Sequence, residues 1–207
     1  MRKGYFVTGT DTGVGKTTVS CALIRSFSRL GKRAAGMKPV SSGGDDAAHL
    51  ASAGGLELPR GISCVYDLPE PVAPHIAASH AGIRIEMDRI VHAYRTIEAD
   101  VVIVEGIGGL LVPLDENHDT SDLIRLLGLP VILVVGMRLG AINHALLTAD
   151  ALKSRGLHLA GWVANRMAPE MRAFDEVKEA IESRIDAPLI DVLPYGGKSL
   201  IDLSKLS

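Results

Sequence analysis

Apolar residues gather in short runs along this chain, and polar, glycine-rich segments separate them. Runs of strand length recur at Tyr5–Thr8, Ala34–Met37, Val101–Val104, Val131–Val135 and Leu159–Ala164, with a weaker one at Leu189–Leu193. The middle runs are apolar at every position rather than alternately, the pattern of parallel strands covered on both faces. Between the runs the period lengthens. Thr17–Leu30 reads as a helix that Gly31 stops. Met87, Ile90, Val91, Tyr94 and Ile97 fall on one helical stripe, and Met171, Phe174, Val177, Ile181 and Ile185 mark another. Strand and helix alternate throughout. The expected fold class is α/β, a doubly wound, mostly parallel sheet with helices on both faces. No repeat, low-complexity tract or linker interrupts the pattern, so residues 1–207 are read as a single domain. Val40 to Pro74 reads as loop-rich, with five of the ten prolines between Pro39 and Pro74.

Composition narrows the class. A chain of 207 residues can bury roughly 70% of its unfolded surface. Aromatics make up only 4%, so Val, Ile, Leu and Ala must build the core, which disfavours an all-β sandwich. The net charge of −2 supplies no basic field for a nucleic-acid backbone. Cys21 and Cys64 are too few for a disulfide framework or a cysteine-based zinc site. No apolar h-region follows Met1, and no stretch approaches the length of a membrane span. The expectation is a cytoplasmic protein without membrane or nucleic-acid partners.

Candidate chemistry begins at Gly9–Thr18, GTDTGVGKTT, between the first strand and the first helix. This is the setting of a P-loop, and it places the chain in the P-loop NTPase fold. Backbone N–H groups of such a loop cradle phosphate oxygens, aided by the positive end of the helix. Lys16 would reach the β- and γ-phosphates of ATP, and the Thr17 hydroxyl would bind Mg²⁺. The spacing is irregular: Thr10 occupies the position where the general motif has its first glycine, with Gly9 one step earlier. Val101–Val104 ends in Glu105 and a turn with Gly106, Gly108 and Gly109. Ligands of doubly wound sheets bind beyond the carboxyl ends of the strands, so Glu105 is a candidate metal carboxylate. Lys38 follows the second strand and precedes Pro39, which aims a second cation at the same crevice. His75, His80 and His118 lack the spacing of metal motifs and are read as structural or surface residues.

In order, GTDTGVGKT, GMKPVSSG, VVIVEGIGGLLVPL, LPVILVVGMRLGAINHALLTADAL and LAGWVANRM resemble the dethiobiotin synthetase family, over residues 4 to about 166. The resemblance implies closure of a cyclic urea on 7,8-diaminononanoate with CO2, ATP and Mg²⁺. A carbamate forms on one amine and is activated by the γ-phosphate, and the second amine then closes the ring. By the same resemblance, Gly13, Val14, Gly15, Lys16, Thr17 and Thr18 would hold phosphates. Lys16 and Lys38 would be catalytic. Thr17, Glu105 and Asp46 would hold the metal, with Asp45 as the alternative to Asp46. Thr12, Lys38 and Ser42 would meet the diamine. Gly106, Ile107 and Gly108 would line the nucleotide side, and Asn165, Arg166, Pro194, Tyr195 and Gly196 the base pocket. Gly140, Ala141 and Asn143 would bind the substrate carboxylate across a homodimer interface, from a helix start that offers free N–H groups.

Three departures stand out. Gly13 replaces a glutamate common in the family, the stretch from Ser42 to Pro74 is compressed, and the chain is short after Gly197, so no later glutamate can be matched to the base. The P-loop admits two other readings. Switch ATPases of the partition or septum-site type carry a signature lysine early in the loop, where this chain has Asp11. An amidotransferase-type synthase would need a glutaminase domain, for which 207 residues leave no room.

Overall fold

The computed structural model describes residues 2–197 and 200–206. Its strands are β1 (Lys3–Gly9), β2 (Ala34–Met37), β3 (Val40–Ser42), β4 (Tyr66–Leu68), β5 (Val101–Glu105), β6 (Val131–Met137), β7 (Leu159–Arg166) and β8 (Leu189–Leu193). Its α-helices are α1 (Lys16–Arg29), α2 (Asp46–Ala51), α3 (Arg60–Ser63), α4 (Pro74–His80), α5 (Met87–Arg95), α6 (Thr120–Leu127), α7 (Ala141–Ser154) and α8 (Phe174–Glu182). Six strands form one parallel sheet in the order β2-β5-β1-β6-β7-β8. The order reverses at β1, which places the loop after β1 at the topological switch point.

The fully apolar strands are buried on both faces, as their pattern requires. Tyr5, Val7, Ile103, Ile132 and Val134 join Val19, Leu23, Ile24 and Phe27 of α1 in one cluster. Their neighbours Phe6, Val102 and Val104 face the other way, toward Ile90 and Tyr94 of α5 and Leu123 and Ile124 of α6. Leu133, Val135, Trp162 and Ala164 meet Ala145 of α7 and Ile181 of α8 in a third cluster. Gly31, with φ +74, follows α1 in the left-handed conformation that ends a helix without a Cβ penalty.

Two local expectations are refined. The loop-rich stretch from Val40 to Pro74 also carries short elements, since β3 and β4 pair in a separate two-stranded parallel sheet and α2 and α3 lie between them. Elements of three to six residues are too short for periodicity to reveal. The Met171 stripe begins its helix only at Phe174, because Ala173 takes φ +55; Met171 packs on the same cluster from outside the helix. A further short helix, α6, combines a buried apolar face at Leu123 and Ile124 with a capped start. The Asp119 carboxylate accepts the Ser121 and Asp122 N–H groups, and the Asp122 carboxylate accepts the Asp119 N–H.

That cap also positions the cleft, because Thr120 N–H donates to the Val112 carbonyl at 3.0 Å. Asp119 also receives Arg155 Nη1 at 2.9 Å. Asp119→Ala should therefore cost about 1–2 kcal/mol of stability, seen as a lower urea midpoint. An unchanged midpoint would show that the cap does not hold this helix.

Candidate functional site

The loop from Gly9 to Lys16 turns back on itself at Gly13 and Gly15, whose φ values of +73 and +94 favour glycine. Gly15 has a second reason to be glycine: a Cβ there would lie 2.1 Å from Asn165 Nδ2. Asn165, near the end of β7, donates that amide to the Val14 carbonyl at 2.8 Å and so braces the loop from the neighbouring strand. Lys16 opens α1 with its side chain buried, and its Nζ donates to the Asp11 carbonyl at 3.0 Å. Burial, with the nearby Lys38 ammonium, depresses the Lys16 pKa to about 8. The carboxylates of Glu105, Asp46 and Asp11 only partly offset this.

Lys38 is the centre of the cluster. It leaves the end of β2 and is only 2% exposed. Its Nζ lies 2.7 Å from Glu105 Oε1, 2.8 Å from Asp46 Oδ2 and 2.9 Å from the Gly106 carbonyl. Burial alone would favour the neutral amine, but Glu105 and Asp46 outweigh it and raise the pKa, so Lys38 is a cation. Conversely, the Lys38 charge and the hydrogen bonds from Lys38 and Thr17 hold Asp46 below the ordinary carboxylate value, against a desolvation penalty. The Thr17 hydroxyl lies 3.0 Å from Asp46 Oδ1 and 2.9 Å from Glu105 Oε1. It is thus Asp46, not Asp45, that reaches the cluster; Asp45 sits at the N-cap of α2.

This cluster floors an open cleft of about 710 Å³. Thr12, Gly13, Gly15, Lys16, Thr17, Thr18, Lys38, Ser42, Asp46, Glu105, Ile107 and Gly108 line it, so residues far apart in the chain converge there. Ser42 Oγ and Glu105 Oε2 are buried without a hydrogen-bond partner. An unpaired buried carboxylate oxygen beside a threonine hydroxyl and a second carboxylate suits a hard, oxygen-seeking divalent cation. The donor set therefore fits Mg²⁺. Gly106 lies against Phe6, where a Cβ would come within 2.8 Å of the ring.

Other expected residues lie elsewhere. Asn165 pairs in register with Leu193, so Pro194, Tyr195 and Gly196 leave β8 beside it. The Arg166 guanidinium stacks on Phe174 at 3.6 Å. Gly140, Ala141 and Asn143 begin α7 and do not line this cleft; Ala141 is buried and Asn143 exposed. Sequence reasoning missed an apolar wall of the same cleft, Pro71, Val72, Ala73, Pro74 and Val112. The proline-rich spacing of residues 69–74 was its one available signal.

Comparison with known proteins agrees with this geometry. Residues 3–199 match a family model described as an AAA domain. The ATP-dependent dethiobiotin synthetase BioD of Nitrosospira multiformis is 50% identical over 220 residues, which covers 100% of this chain and 97% of that protein. The enzyme of the same name from Aromatoleum aromaticum is 51% identical over 204 residues, covering 93% and 91%. Among solved structures, the septum site-determining protein MinD with Mg-ADP from Pyrococcus horikoshii superposes with a TM-score of 0.65 at 18% identity, over 94% of this chain and 82% of that one. The MinC:MinD complex of Aquifex aeolicus gives 0.60 at 16%, over 95% and 82%. At such identities the likeness is one of fold.

A lysine with a pKa of about 8 has a thermodynamic consequence. A bound phosphate chain restores its ordinary affinity for a proton. Binding of a nucleoside diphosphate at pH 8 should therefore take up about half a proton, measured as the buffer dependence of the calorimetric enthalpy. Lys16→Arg should abolish the uptake, and buffer-independent heats in the wild type would contradict it. The unfolded chain holds this proton more tightly between pH 8 and 10.5, so the Lys16 contribution to stability rises with pH across that window.

Proposed function

Because the chain belongs to the ATP-dependent dethiobiotin synthetase family, we propose that the cleft described above is where it performs that family's reaction. The protein is an ATP-dependent ligase of biotin biosynthesis. It carboxylates 7,8-diaminononanoate with CO2 and closes the ring to dethiobiotin, with ATP going to ADP and phosphate. The observation that carries the assignment of the site is the convergence of Lys16 and Lys38 on one cleft, with Thr17, Asp46 and Glu105 among them. All 207 residues are read as one catalytic unit of the cytoplasm. Among the described residues no helix is long and apolar enough to cross a membrane.

The chemistry joins two anions, a carbamate and a γ-phosphate, so its main demand is positive charge at their meeting point. The loop N–H groups of residues 13–18 hold the phosphate chain. Lys16 exchanges the Asp11 carbonyl for phosphate oxygens. Lys38, already ionised and fixed by Glu105 and Asp46, faces the carbamate and the γ-phosphate. Ser42, whose hydroxyl lacks a partner, and Thr12 orient the diamine. The wall from Pro71 to Pro74, with Ile107 and Val112, lies along the alkyl chain and keeps water away. Thr17, Asp46 and Glu105 would hold Mg²⁺, which would supply charge neutralisation at the phosphates. Asn165, Arg166 and the turn Pro194–Gly196 border the base. No side-chain nucleophile is needed.

The end of β6 and the start of α7 complete the site from a second copy. Leu139 is 99% exposed and Leu147 61%, and Asn143 lies between them at the same four-residue spacing. These residues form an apolar-edged stripe away from their own cleft. The Ala141 N–H is already given to the Arg138 carbonyl at 3.0 Å, so in an isologous homodimer the stripe would place Asn143 and the remaining N–H groups of the α7 start at the partner's substrate carboxylate.

Two outcomes follow. In phosphate-release assays the wild type should require ATP, Mg²⁺, bicarbonate and the diamine together. Lys38→Ala should lower turnover by roughly 10²–10³-fold while the ATP dissociation constant changes little. Equal loss of ATP binding in Lys16→Ala and Lys38→Ala would show that Lys38 anchors the nucleotide instead. For assembly, sedimentation should give twice 21.9 kDa. Mixing Lys16→Ala chains with chains inactivated at Asn143 should restore some activity, because one shared site is then intact. A monomeric, fully active protein would overturn the shared site.

A further inference from the structure

Asp11 is the hub of the loop's outer turn, and a residue just past the end of another strand holds it. Its Oδ1 accepts the Thr12 N–H at 2.7 Å, and its carbonyl accepts Lys16 Nζ at 3.0 Å. Its other carboxylate oxygen is paired with Arg138, just beyond β6, at 2.5 Å. The turn hydrogen bond from Thr12 and the Arg138 charge keep the Asp11 carboxyl below its ordinary range, and His144 of α7 adds to the same field. Arg138 and Asp11 are about half exposed, with side-chain exposures of 47% and 46%. Pairs of this kind add little to global stability. The consequence of this pair must therefore be local.

Resting on the assignment of the cleft above, we propose that Arg138 is a positioning residue for the reaction. Through Asp11 it fixes the turn that presents Thr12 to the diamine and parks Lys16, and it ties that turn to the start of α7. Arg138 does not line the cleft, so its action passes through Asp11 rather than by touching ligand. It is followed directly by the exposed Leu139 and by Gly140 at φ +91. The loop that holds phosphate and the helix proposed to serve the partner's substrate are thus joined by one ion pair.

A double-mutant cycle tests this. Arg138→Ala removes the cation, and Asp11→Asn keeps an acceptor for Thr12 N–H but discards the charge. Each should lower kcat/KM for ATP and for the diamine by about tenfold to a hundredfold, the scale of small misplacements at a reacting centre, with little change in melting temperature. The double variant should be no worse than the poorer single one, and Arg138→Lys should recover part of the loss. Losses that multiply would mean that Arg138 acts by another route, and an unchanged kcat/KM would reduce the pair to a surface contact. Variants that sediment differently from the wild type would also overturn the proposal, since assembly would then explain the loss. If the wild type failed to turn over the diamine, the cleft assignment would fall. ADP dissociation constants of the same variants would still decide the role of Arg138, a roughly tenfold weakening supporting it and no change opposing it.

Discussion

A buried ammonium must be compensated or it cannot stay charged, and the architecture of this site answers that constraint at Lys38. Removing one partner of a buried ion pair costs on the order of 3–5 kcal/mol, because the other charge is left stranded. Lys38 has two carboxylates and a carbonyl around it, supplied by the end of β5 and the start of α2. The cluster therefore pins the ends of β2 and β5 and the first residue of α2 at fixed mutual positions. Thr17, at the start of α1, joins through the same carboxylates. The ion pair thus holds the site in register before any ligand arrives. That preorganisation lets fixed charges act on developing charge without reorganising first.

The two lysines are tuned in opposite directions. Lys38 is held charged by close carboxylates, whereas Lys16 is drawn toward neutrality by burial and by Lys38 itself. A site with one fixed and one uncommitted cation favours polyanionic ligands, because an incoming phosphate chain supplies what Lys16 lacks. Glu105 Oε2, buried and unpaired, is the complementary unmet demand. The shared fold with MinD does not carry a switch function with it. Asp11, in the outer turn of the loop, receives Arg138 of its own chain.

Much of this was legible from pattern alone. Val101–Val104 and Val131–Val135 announced buried parallel strands because apolar residues without alternation need cover on both faces. The P-loop is legible despite its irregular first glycine because strand, glycines and helix come in the required order. Lys38 and Glu105 were legible as residues at strand ends. The choice between Asp45 and Asp46 was not, because the direction of a helix start depends on how α2 docks. The apolar wall at Pro71–Pro74 was not legible, because its residues lie in bends, coil and the first position of α4, which carry no period. The Arg138–Asp11 pair spans 127 residues and could be seen only in three dimensions.

The central claim is that Thr17, Asp46 and Glu105 form a divalent-cation site that Lys38 holds ready. Mn²⁺ reports on such a site directly, since it takes oxygen ligands like Mg²⁺ and scatters anomalously. Crystals grown with Mn²⁺ and ADP should show an anomalous peak about 2.1–2.3 Å from Thr17 Oγ1, with Asp46 and Glu105 in its first or water-bridged shell. A peak placed away from these three residues, or none with ADP bound in the loop, would contradict the account.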